Sequence, residues 1–331
     1  MNRVSRFCLL FISLFLIGFS PKEPLKESLG SSDQSAQIPL RFLEKEDLVP
    51  KMVQLRQEWV FDLYLLLLRD QGEKQGEWQE ISLDELAGAI GISRRLNRSV
   101  YHRILLQSLE ILQSDFHLIK INFGKRQTVS VQLLDYDDPQ LPFSMPEEGR
   151  FEIPGGYWTF GWNQKLSLST KWIYLVHQIF QKMYPAQKQW GISSELLHRR
   201  FHLSEEFFKK GSEELRRYHL INIQYRVEPS RPNQLQKEYH LLPIYDPQAV
   251  EKAISNLSTQ YTEARVKLIR NYARLIYAEY DPAVIGQLAQ LYYRYGDYSF
   301  KKIMGTIAEE PTDSPKRSLE YATVLFQQEP R

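Results

Sequence analysis

Cysteine is almost missing from this chain: a single one, Cys8, occurs in 331 residues. One thiol excludes an intramolecular disulfide framework and any zinc site built on cysteine, so packing rather than cross-linking must hold the fold. An excess of charge is missing too. The 42 Lys and Arg nearly balance the 40 Asp and Glu, leaving a net charge of +2. Affinity for a polyanion must therefore come from a local patch and not from bulk charge. The signatures of common catalytic sites are absent as well: there is no GxxxxGK[ST] phosphate loop, no GxSxG elbow and no HExxH pair. His198, His202 and His219 lie close in sequence but without a carboxylate at ligand spacing, and read as surface histidines. Asp135, Asp137 and Asp138 stand beside Asp138-Pro139 and Leu141-Pro142, which break regular structure, so they read as a linker turn and not as metal ligands. The expectation is a protein that is not an enzyme and uses neither cofactor nor metal.

What is present is ordinary globular material, 43% hydrophobic and 25% charged, in a chain long enough for two or three domains. At the amino terminus, Arg3 and Arg6 precede an apolar run from Phe7 to Phe19, with Gly18 and Ser20 behind it. That pattern resembles a secretory signal peptide or a short membrane anchor, and it makes residues 1–20 a candidate for membrane association. Residues 21–48 are rich in Ser, Lys, Glu and Gln at their start and lack apolar periodicity, so they read as a flexible linker.

The middle of the chain contains one unit twice. The first copy, residues 49–138, opens with Trp59, Val60, Leu63, Leu65, Leu66 and Leu67, dense enough for a buried helix. Ile81-Ser82-Leu83-Asp84-Glu85-Leu86 follows, in which Ser82 and Glu85 form a capping box ahead of Leu86, Ala87 and Ile90. Gly91 supplies a turn, and Ser93 is expected to cap a third helix from about Arg94 to Gln113. Two strands, Leu118 to Phe123 and Thr128 to Leu134, close the unit around Gly124-Lys125-Arg126-Gln127. After a linker at 139–150, the second copy occupies 151–245. Its Ile192-Ser193-Ser194-Glu195-Leu196-Leu197 lies 111 residues beyond the first capping box, as Ser204 lies beyond Ser93. A third helix from Glu205 to Tyr218, a strand from Leu220 to Val227, a wing over Glu228 to Lys237 and a strand to Leu242 complete it. Helix, turn, helix and hairpin is the winged-helix plan, so the expected fold is mainly α with small β wings (α+β): two tandem winged helix-turn-helix domains and a carboxy-terminal helical domain, 246–331.

The two third helices differ in chemistry. Between Ser93 and Leu106 the first carries Arg94, Arg95, Arg98 and Arg103 with Asn97 and His102, and no acidic residue. Arginine forks match guanine acceptors in a major groove, and phosphates accept from Arg, Lys and Ser, so this helix, with Lys125 and Arg126 at the wing tip, is the expected reader of double-stranded DNA. The second begins with Glu205 and Glu206, leaving Arg199, Arg200, Lys209 and Lys210 as secondary contacts.

Trp59 to Leu68 leading into Ile81 to Ser93 resembles the plasmid-type replication initiator proteins. Phe151-Glu152-Ile153-Pro154, Phe160-Gly161-Trp162, Leu166-Ser167, Lys171 and Tyr174-Leu175 resemble the opening of a winged helix in related plasmid and phage replication proteins. The resemblance covers roughly residues 55–245 and implies binding of origin repeats and recruitment of replication machinery. Beyond it, four helices are expected: Asp246-Pro247 to about Tyr280, Asp281-Pro282 to about Tyr295, Asp297 to about Glu310, and one from Ser314-Pro315. Ser318-Leu319-Glu320-Tyr321 faintly resembles the carboxy-terminal region of primosomal DnaD-type proteins, which implies a tail for partner binding or self-association. The leading expectation is a DNA-binding replication initiator. A transcription regulator is one alternative. The other is an exported or membrane-tethered interaction protein that uses its winged helices as scaffold.

Overall fold

The computed structural model describes residues 34–71, 76–124, 128–184, 190–228, 231–311, 314 and 316–329. The signal-like segment 1–20 and the start of the following linker lie outside the described residues. Within them the chain is mainly helical with small antiparallel sheets, an α+β composition.

Residues 34–48 correct the expectation of a flexible linker. They form β1 (Ala36–Pro39) and α1 (Leu40–Glu44) and lead into α2 (Val49–Gln54), with Ile38, Phe42, Leu43 and Leu48 buried. The first unit continues with α3 (Glu58–Gln71), β2 (Gln79–Ser82), α4 (Leu83–Ala89), a 3-10 turn (Ile92–Arg94), α5 (Arg98–Ser114), β3 (Ile119–Phe123) and β4 (Thr128–Leu133). Its strands form a three-stranded sheet in the order β2-β4-β3. Inward positions of β4 alternate, Val129, Val131 and Leu133 being buried, as a strand with one face on a core requires.

The second unit has a matching order: β5 (Arg150–Ile153), α6 (Gly156–Thr159), α7 (Trp162–Lys165), α8 (Leu168–Met183), α9 (Ser194–Phe201), α10 (Glu205–Arg217), β6 (Ile221–Glu228) and β7 (Arg231–Leu241). An isolated bridge between Trp190 and Tyr239 stands where β2 stands in the first unit. The wing expected over Glu228 to Lys237 is largely strand: β6 and β7 stay paired from Ile221↔Leu241 out to Glu228↔Arg231.

The two units are joined reciprocally. Gln37-Ile38-Pro39 and Glu152-Ile153-Pro154 are copies of one motif, and β1 runs antiparallel to β5 with Gln37 opposite Glu152 and Ala36 and Ile38 opposite Ile153 and Phe151. The lead-in segments are exchanged. Glu44, in α1 of the first unit, accepts from the Arg200 guanidinium, and its carbonyl lies 3.0 Å from His202 Nε2, at the α9–α10 turn of the second. In return, α7 of the second unit sits under the α4–α5 turn of the first, where Arg95 Nη2 donates to the Gln164 carbonyl at 3.2 Å. Gly91 and His202, 111 residues apart, are the left-handed residues of these two turns, at φ 79° and 54°.

Where α3 meets α8, Lys171 is fully buried and its Nζ donates to Asp62 Oδ2 at 2.6 Å and to Glu58 Oε1 at 2.9 Å. One hydrophobic cluster accordingly runs through both units, from Ala36 to Leu241.

A second cluster, Val266 to Phe326, belongs to α11 (Pro247–Tyr261), α12 (Glu263–Ala273), α13 (Pro282–Glu309) and α14 (Leu319–Gln328) with the elements packed on them. The helix expected to reach Tyr280 is divided: Thr262, at φ 58° and ψ 144°, ends α11 and starts α12. Gly296, at φ 80° and ψ 171°, interrupts α13, so the helices expected on either side of it meet at a kink. The last helix begins at Leu319 under a Ser318 cap and not at Ser314-Pro315.

Candidate nucleic-acid interface

The first unit's third helix is positioned by the two elements before it. Ser82 and Glu85 close the predicted capping box on α4, with Asp84 N donating to Ser82 Oγ at 3.2 Å. Leu86, Ala87 and Ile90 then anchor α4 in the core, and Gly91 turns the chain. The expectation that Ser93 caps the third helix is corrected here. Ile92, Ser93 and Arg94 form a 3-10 turn that buries Ile92, and Asn97 is the cap, accepting from Val100 N at 3.1 Å. Arg95 and Asn97 therefore precede α5, and Arg98 is its first residue. The Arg94 backbone lies in the 3-10 turn and its side chain is outside those described.

Tyr101, Leu105, Leu109 and Leu112 turn inward from α5, which leaves Arg98, Ser99, Arg103 and Gln107 exposed on the other side. Arg95 and Asn97 are exposed at the amino-terminal end. Arg103 forms no ion pair among the described residues. Lys125 and Arg126, the expected wing-tip contacts, lie outside the described residues.

The acid-free stretch of sequence is not acid-free in space. Asp84, on α4, reaches the start of α5: its Oδ1 accepts from Arg98 Nε at 3.2 Å and Tyr101 Oη at 2.8 Å and lies 2.7 Å from His102 Nε2, while Oδ2 binds Arg98 Nη2. The Arg98 guanidinium, with the Tyr101 and His102 hydrogen bonds, holds the Asp84 carboxyl down at about 2. The His102 side chain is 13% exposed and turned to Asp84, which corrects its expected place among the outward-facing residues of the helix. Asp84 and Tyr101 escape a reading of one helix at a time, because the partner acid sits in the preceding helix. The signal available was the capping box itself, which fixes Asp84 in the first turn of α4.

The second unit's third helix faces outward differently. Ser204 caps α10, and Phe208, Gly211, Ser212 and Leu215 face α8 and the core. Lys209 and Lys210 are exposed beside Glu205 and Glu206, so the surface is mixed in sign. Arg199 lies 3.8 Å from Glu195, and Arg200 is engaged by Glu44 and lies over the Phe201 ring. Of the secondary candidates, Arg200 is thereby part of the contact between units.

Asp135 is accounted for by its turn: its Oδ1 accepts from the Asp137 and Asp138 amides at 2.8 and 3.1 Å, and Asp137 pairs with Arg41 and Lys45. Among the described residues no cluster of His, Cys, Asp or Glu is arranged to hold a metal ion, and no helix is long and apolar enough to cross a membrane. Comparison with known proteins finds no family model, characterised protein or solved structure that matches this chain.

Proposed function

We propose that this chain is a duplex-DNA-binding protein of the replication-initiator type, built on two tandem winged helices, with the first unit reading DNA through α5. The winged-helix reading is supported by the element order helix, strand, helix, helix, strand, strand in the first unit, with the early strand paired to the last, and by its counterpart in the second. The observation that carries DNA binding is the amino-terminal end of α5, where Arg95, Asn97, Arg98, Ser99 and Arg103 are exposed together. A helix amino terminus with exposed arginine side chains suits a major groove and its flanking phosphates.

The replication role rests on the resemblance to plasmid initiators. In the carboxy-terminal helices, Tyr293 and Tyr298 are 50% and 80% exposed and supply aromatic surface for a protein partner or self-association.

The test is a salt titration of binding to duplex DNA. The combined variant R95A/R98A/R103A is expected to lower the slope of log K against log salt by about one unit for each phosphate contact removed, and to weaken binding at every salt concentration. Unchanged affinity and slope in that variant would defeat the reading.

A further inference from the structure

Asp84 stands where a DNA-binding surface would be expected to avoid a carboxylate, yet it makes four side-chain contacts with the first five residues of α5. Arginine has two bidentate edges, one through Nε and Nη2 and one through Nη1 and Nη2. Asp84 takes the first edge of Arg98. Because the guanidinium is planar, fixing one edge fixes the plane, and Nη1 and the second Nη2 hydrogen take no part in the Asp84 contact of a side chain that is 62% exposed. That remaining edge has the spacing of guanine O6 and N7. Tyr101 Oη donates to Asp84 Oδ1 and His102 Nε2 lies 2.7 Å from the same oxygen, and Tyr101 is itself buried in the unit's core, so the fork is braced back to the scaffold. The Asp84 backbone is held in turn by the α4 cap.

We infer that Asp84 is a positioning residue that converts Arg98 from a mobile phosphate-binding cation into an oriented reader of one guanine in the recognised duplex. This rests on the DNA-binding reading above. It carries a prediction of opposite sign to that of an ordinary contact residue: removing Asp84 removes a negative charge from the interface, so binding to arbitrary duplex strengthens while discrimination falls.

The experiment begins by selecting preferred sequences from random duplexes with the full chain, and then measures affinities for the selected site and each of its single-base variants. The wild type is expected to lose about tenfold at one G·C pair when that guanine is replaced. D84N and R98K are each expected to abolish the preference at that same pair and leave preferences elsewhere unchanged. D84N is also expected to bind unrelated duplex more tightly than the wild type, and D84E to restore part of the preference. Thermal unfolding of each variant separates loss of reading from loss of fold. A D84N protein that keeps the wild-type preference at every position would overturn the inference and leave DNA binding standing. So would one that loses all preferences equally while its unfolding is unchanged. A wild-type chain that binds no duplex would overturn both readings together.

Discussion

His177 is buried between the Trp190 and Ser212 side chains, and its protonation follows from what those neighbours can do. An indole N–H only donates, so His177 Nδ1 accepts from Trp190 Nε1 at 3.3 Å, and the neutral ring carries its proton on Nε2, 3.0 Å from Ser212 Oγ. Burial pulls the imidazole from 6.5 down to about 3. The unfolded chain then binds the proton more readily than the folded one across that window, so this contribution to stability is present above pH 6.5 and is lost as pH falls toward 3. Asp62 has the opposite sign. Burial, against the pull of Lys171, pushes its carboxyl from 3.8 up to about 6, so its contribution is present below about pH 4 and is lost as pH rises through 6. Between about pH 4 and 6 the two trends oppose each other, each at up to about 1.4 kcal/mol per pH unit. Relative to the wild type, H177Q is expected to make stability fall more with rising pH over that range, and D62N to make it rise more. Urea unfolding at about pH 4, 5 and 6 measures both, and parallel profiles for all three proteins would refute the assignment.

Among the elements, α8 and α10 approach each other at a glycine. A Cβ on Gly211 would lie 2.5 Å from Ile173 Cγ1 and 3.0 Å from its Cβ, and a β-branched side chain on a helix has little freedom to move aside. Gly211→Ala is therefore expected to cost about 1–3 kcal/mol by overpacking. Gly88, on the exposed side of α4, has open space within 4 Å of the position a Cβ would take, and Gly88→Ala should stabilise by about 0.5–1 kcal/mol through helix propensity. Paired denaturant melts of the two variants check the contrast in sign. The α4 capping box was readable because Ser82 and Glu85 satisfy each other within one turn. The start of α5 was not, since Ser93 and Asn97 are both good caps four residues apart. Burial of Ile92 in the core and the left-handed turn at Gly91, seated against Gln164 of the other unit, select Asn97.

At the scale of the whole molecule, the two units form one body through exchanged lead-in segments, an antiparallel β1–β5 ladder and the Lys171 ion cluster. Lys171→Met leaves Asp62 buried with no cationic partner and is expected to cost about 3–5 kcal/mol, whereas K171M combined with D62L should recover most of that loss. Calorimetry of the full chain reads both values, and equal melting of single and double variants would contradict a buried, coupled pair. The repeat of the serine caps Ser82 and Ser193, the apolar faces of α3, α5 and α8 and the proline-led starts of α11 and α13 were all legible in the sequence, because each depends on residues within a few turns of one another. The folded lead-in at 34–48, the pairing of Gln37-Ile38-Pro39 with Glu152-Ile153-Pro154 and the diversion of Arg200 to Glu44 were not. Asp84 beside Arg98 of α5 was the same kind of omission. The sequence by itself determined most of the longer helices and the starts of α4, α8, α9, α10, α11 and α13, since caps and periodicity are local. Which charges face solvent and which are paired was decided only by the tertiary structure, because a carboxylate from another element can reach a cation only after packing has brought the two together.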